Sequence, residues 1–211
     1  MYSKERAQQV TKNDVKFIPA GIQENVALKS ARVAESPTGR KFFEVTFEKD
    51  GATLVQTEWK PDNKNGELSD EAVQKKEDNQ FSRIMQLLLC FYKDEQLVFN
   101  GTKFEEFSKE VVDYLNNADK SKLLRVKVVY NDKGYTTLPS YAKYTFVEPI
   151  VLPEGQTSAI TELRIDNFAK PIVADVEAPV ASIGSTMSSI TPTMEAAVTN
   201  TTEANPYGLP F

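Results

Sequence analysis

Phe42 and Trp59 stand directly opposite each other if Asp50-Gly51 is a two-residue turn, and Arg40, Lys41 and Lys60 fall at the same end of that hairpin. Asp-Gly is the pair a type I′ turn prefers, because both positions need positive φ. With that loop Lys49 faces Ala52, and the register runs outward: Phe47 with Leu54, Val45 with Gln56 and Phe43 with Glu58 on one face, Thr46 with Val55, Glu44 with Thr57 and Phe42 with Trp59 on the other. Single-stranded nucleic acid is held without sequence preference when bases stack on aromatic rings, at about 1–3 kcal/mol each, while cationic groups follow the phosphates. A second grouping of the same types lies in NDKGYTTLPSYAKYTFVEP, where Lys133, Tyr135, Tyr141 and Lys143 interleave rings and charges, with Arg125 and Lys127 projecting from the strand before it. The competing reading of both groups is structural. Phe42 and Trp59 would then pack beneath neighbouring elements, and the tyrosines would cover sheet edges, with Tyr144 in the core because it shares a parity with Phe146.

Other chemistry is scarce. The chain of 211 residues has no histidine, which removes Ser-His-Asp and Cys-His pairs and the commonest transition-metal ligand. Cys90 is the only cysteine, so neither a disulfide framework nor a thiolate zinc site is available. No glycine-rich phosphate loop is present. A non-catalytic protein without metal or cofactor is expected. No apolar run approaches a membrane span, and the opening MYSKERAQQVTKND lacks the apolar stretch of a signal peptide, so an intracellular, non-membrane protein is expected.

These groups need a scaffold. GIQENVALKSARVAE (Gly21–Glu35) reads as a first strand, the Asp50-Gly51 hairpin supplies the second and third, and PDNKNGELSDEAVQKKEDN reads as a polar loop leading into a helix. From Phe81 the spacing Phe81, Ile84, Leu88, Phe91 predicts a helix. Thr102 and Glu105 form a capping box for a second helix through Phe104, Phe107, Val111 and Leu115, ending at Asn116-Asn117. Alternation returns at Leu124, Val126, Val128 and Tyr130, and Tyr141 to Val147 reads as a last strand. Three strands, a helical insertion at about 62–120 and a final hairpin predict a mainly β domain over 21–153, an OB-fold five-stranded Greek-key barrel, with a generic α+β domain as the alternative. Residues 1–20 form an N-terminal arm, and 154–178, with Ile160, Leu163, Ile165 and Phe168, either add a short strand or dock on the domain. Residues 179–211 read as a disordered acidic tail. Residues 151–211 hold seven acids against Arg164 and Lys170, so the whole net charge of −5 lies there and residues 1–150 are neutral.

KFIPAGIQENVALKSARV, GRKFFEVTFEKDG, TEWKP and NDKGYTTLPSYAKYTFVEP together resemble the single-stranded DNA-binding proteins of bacteriophages, which join an OB-fold core to a flexible linker and a C-terminal Pro-Phe tip. The resemblance implies a protein that coats single-stranded DNA during phage replication, recombination or repair in the cytoplasm of the infected bacterial host. It also implies that Leu209, Pro210 and Phe211 dock replication or recombination partners, the phenyl ring entering an apolar pocket and its α-carboxylate meeting a basic residue. One departure stands out: the last ten residues hold a single acid, Glu203, where the family places several. A structural or adaptor protein, such as a virion component using the same domain for assembly, is the alternative function.

Overall fold

The computed structural model describes residues 16–63 and 66–171; the N-terminal arm before residue 16 and the tail with Leu209, Pro210 and Phe211 lie outside them. The described chain is mainly β, with six antiparallel strands and two α-helices: β1 (Gly21–Glu35), β2 (Lys41–Lys49), β3 (Ala52–Trp59), α1 (Asp70–Leu88), α2 (Phe104–Asn117), β4 (Leu123–Tyr130), β5 (Thr136–Thr137) and β6 (Val147–Pro149). The hairpin at Asp50-Gly51 has φ of 50° and 76° at its two turn residues, and β2 pairs with β3 in the register its loop length dictates, from Lys49 and Ala52 to Phe42 and Trp59.

β1 is long because it serves two partners. Its first half pairs with β4 and its second half with β2, and the ladder shifts between Gln23 and Val26 and again between Leu28 and Ser30. Asn25, at φ 58°, takes the left-handed conformation that the first bulge needs. Asn116, near the end of α2, serves β1 beyond its last pair with β4: its side chain accepts from the Ala31 N–H at 3.0 Å and donates to the Ala31 carbonyl at 2.9 Å. Asn116→Ala leaves both of those part-buried groups unpaired, so a loss of about 1–3 kcal/mol is expected in urea unfolding.

The strand order is β3-β2-β1-β4-β5, with β6 also on β4, and the sheet is open rather than closed into the expected barrel. At its two ends β3 and β5 meet through a side chain: Gln56 Oε1 accepts from Thr137 Oγ1 at 2.8 Å and from the Leu138 N–H at 3.0 Å. The last strand is also shorter than the sequence suggests. Tyr141 to Phe146 runs as irregular chain and only Val147–Pro149 is strand, so parity fails there and Tyr144 is 41% exposed while Phe146 is buried.

The helices fill the space over the inner face of the sheet, where Leu28, Phe43, Val45, Phe47, Leu54, Leu124, Val126 and Val128 are buried with Ile84, Leu87 and Leu88 of α1 and Val111 and Leu115 of α2. α1 begins eleven residues before Phe81, in the stretch that reads as loop, because Ser69 caps it by accepting from the Ala72 N–H at 3.2 Å and Asp70 and Glu71 favour its positive end. Phe91 lies beyond its end. The expected capping box of α2 is displaced by one residue: Glu106, not Glu105, takes the N–H groups of Thr102 and Lys103.

Residues 154–171 form no strand and instead lie along the domain. Ile160 is buried, the Tyr130 N–H donates to the Asn167 carbonyl at 2.8 Å, and Ile165 stays 65% exposed.

Candidate nucleic-acid interface

Between β3 and the chain from Val129 to Tyr141 lies a cleft of about 580 Å³. Its wall at the hairpin end carries Arg40, Trp59 and Lys60, and its opposite wall carries Tyr141 with Tyr130 and Asn131. Trp59 is 40% exposed, its ring centroid 4.5 Å from that of Phe42 and tilted 43° to it, and the Arg40 guanidinium carbon lies 5.0 Å from the indole centroid. Phe42 and Trp59 therefore pair on the outer face, as the register requires, rather than beneath a helix.

The cations beside them are held by acids. Arg40 pairs with Asp62 at 3.2 Å, and Glu105 Oε1 bridges Lys41 at 3.3 Å and Lys60 at 3.0 Å. Glu105 is pushed down to about 2, first by a hydrogen bond with its own backbone and then by the Lys60 and Lys41 ammonium groups. It is charged throughout the physiological range.

The floor of the cleft is a buried polar network built from inward positions of β3. Glu58 pairs with Arg83 at 3.0 Å, with side chains 5% and 9% exposed. Gln56 and Gln80 each donate to Glu58 at 3.0 Å, and Arg83 Nε donates to the Pro139 carbonyl at 2.9 Å. This network clamps α1 and the segment after β5 onto β3, fixing the cleft's width. Among the described residues no buried side-chain nitrogen or oxygen lacks a partner.

The second predicted group is divided. Tyr141 lines the cleft, but its hydroxyl donates to Asp166 at 2.7 Å and accepts from Lys127 at 2.9 Å. Lys127 does not project: its side chain is fully buried and pairs with Asp166 at 2.7 Å, which removes it from any phosphate-facing surface. Burial by itself would raise Asp166, but hydrogen bonds from Lys127, Tyr141 and the Leu163 N–H hold it below its ordinary value. Burial and then the bond to Asp166 raise Tyr141. Arg125 lies away from the cleft lining, between Glu148 at 2.6 Å and Glu24 at 3.0 Å. Lys133 and Tyr135 sit exposed at the turn joining β4 and β5, Tyr135 at 66%, while Lys143 lies 5.5 Å from the centroid of Tyr144.

Lys76 and Asn79 of α1 also line the cleft and were not anticipated. With Gln80 and Arg83 they recur at three and four residues, which places them on one helix face once the helix is known to begin at Asp70. The ionised lining balances, with Arg40, Lys60, Lys76 and Arg83 against Glu58, Asp62, Asp132 and Asp166. Among the described residues no group of three or more acids or cysteines is placed to hold a metal, and no helix is long and apolar enough to cross a membrane. No protein-family model matches the chain, and no curated protein matches it.

Proposed function

We propose that the protein binds single-stranded DNA, non-catalytically and without strong sequence preference, in the manner of an OB-fold phage protein whose tip, Leu209 to Phe211, recruits replication or recombination partners in the infected cell. The observation that carries the reading is Trp59: a part-exposed indole in contact with Phe42 and Arg40, on the rim of a cleft large enough for a nucleobase, with Lys60 beside it. The OB reading is supported by β1 pairing with both β2 and β4, by helices set between β3 and β4, and by Gln56 linking β3 to β5 where a closed barrel has a ladder. Bases would stack on Trp59 and Phe42, phosphates would follow Arg40, Lys41 and Lys60, and Tyr135, Lys133 and Lys143 would extend the path on the other side.

The balanced charge of the cleft sharpens this. Binding carried by stacking more than by phosphate contacts loses little affinity with salt, and a slope of log affinity against log salt of about −2 or shallower is expected, the value for about three phosphate contacts. Retardation of oligo-dT, but not of duplex DNA, at low salt tests the reading; equal retardation of both, or of neither, sinks it. The same charge balance is what favours the second reading, an adaptor or virion component that uses the domain for protein assembly. Copurification with assembled particles together with indifference to DNA would select it.

A further inference from the structure

Lys41, at the start of β2, and Lys60, immediately after β3, converge on one carboxylate oxygen of Glu105 in the first turn of α2. The three side chains are 43%, 49% and 34% exposed, and with Gly39, Arg40 and Asp62 they border a depression of about 240 Å³ that opens to solvent. One oxygen shared between two ammonium groups, beside a part-exposed indole, is the arrangement a non-bridging phosphate oxygen takes on a cationic rim. The Thr102 and Lys103 N–H groups are capped by Glu106, and the Glu105 side chain bonds only its own backbone within this turn. Glu105 adds a bridge between α2 and the hairpin whose three charged ends all face water, where such pairs contribute little to stability. Its larger consequence is to occupy the lysines.

We infer that Glu105 is an internal competitor for the phosphate backbone, holding Lys41 and Lys60 in place and yielding them only to a strand whose bases also stack at Trp59. The inference rests on the nucleic-acid reading of this hairpin and names a selectivity device within it. A free polyanion, or a duplex whose bases stay stacked, gains the lysines only by displacing Glu105 and has no stacking to offset that displacement. A single strand has.

The test compares the full chain with Glu105→Gln, using Asp113→Asn, an exposed acid elsewhere on α2, to match the change in net charge. Oligo-dT affinity is read across salt concentrations, with duplex DNA in parallel. Glu105→Gln is expected to tighten oligo-dT about fivefold at low salt, from removal of one like charge next to the phosphate. The oligo-dT salt slope should stay near its native value, because the same phosphates are contacted once Glu105 has been displaced. Duplex binding should rise by a larger factor than oligo-dT binding, and Lys41→Gln with Lys60→Gln in the Glu105→Gln background should abolish the gain. Thermal midpoints should be unchanged. If the native chain binds oligo-dT and Glu105→Gln binds it no better, or no better than Asp113→Asn does, the inference is overturned while the functional reading stands. If neither the native chain nor Glu105→Gln retards DNA, both fall.

Discussion

Asp166→Ala is expected to destabilise the protein by about 3–5 kcal/mol, because it leaves the Lys127 ammonium fully buried with no counter-charge. Asp166 also takes the Tyr141 hydroxyl and the Leu163 N–H, so three groups lose a partner at once. Urea unfolding measures the loss, and two further variants separate its causes. Asp166→Asn keeps the size and the acceptor but not the charge, and should recover only part of the stability. Lys127→Met in the Asp166→Ala background removes the stranded charge and should recover most of it, since apolar replacement of a buried pair is often neutral. The same cluster sets a pH window. Asp166 is held below its ordinary value of 3.8, so its contribution is complete above that pH and is lost as pH falls below it. Tyr141 is raised above its ordinary value of 10.0, so its contribution is complete below that pH and declines as pH rises past it. Asp166→Ala should therefore flatten the stability profile at both ends. It should also free the chain from 154 to 171, whose anchors are this cluster, the Ala159 N–H on Glu148 and the Tyr130 to Asn167 bond.

Trp59→Ala is expected to weaken oligo-dT binding by about 1–3 kcal/mol, roughly five- to 150-fold, with little change in stability because the indole is on the outer face. Trp59→Phe should retain most of the affinity, and Lys60→Ala should cost less than Trp59→Ala while flattening the salt slope. That ranking follows from the balanced charge of the cleft: where acids already neutralise the cations, removing a ring costs more than removing one ammonium group. Gel retardation or anisotropy with labelled oligo-dT measures it. If Lys60→Ala proves the more damaging change, phosphate contacts rather than stacking dominate, and the role given to Trp59 is wrong.

The hairpin that presents Trp59 was legible in the sequence because a two-residue turn leaves one register, and Asp50-Gly51 specifies that turn chemically. The same register placed Gln56 and Glu58 on the inward face with Leu54, which is where they lie. What the register could not supply was their partners. Gln80 and Arg83 come from α1, whose first half is polar and shows no apolar stripe, so periodicity starts only at Phe81; the Ser69 cap and the acids after it were the available signal. Lys127 misled for a related reason. Alternation gives a strand two faces, and a lysine on the face opposite Leu124, Val126 and Val128 reads as solvent-exposed. β4 is covered on both faces, because the chain near Asp166 folds back over it, and that pairing joins residues far apart in sequence. Tyr144 failed because parity carries information only inside a strand, and the chain before Val147 is not one. That the sheet stays open was the least legible feature: β3 and β5 meet only through the amide of Gln56, with no backbone ladder between them.

Trp59 is the only tryptophan in the chain, so its emission reports this site alone. Titrating the full-length protein with oligo-dT at low salt, and then adding salt to the complex, is the most direct test of the stacking assignment. Saturable quenching is expected, only weakly reversed as salt is raised because stacking carries most of the binding, and duplex DNA of equal length should quench far less. Unchanged emission, with no retardation of the same oligonucleotide at low salt, would contradict it.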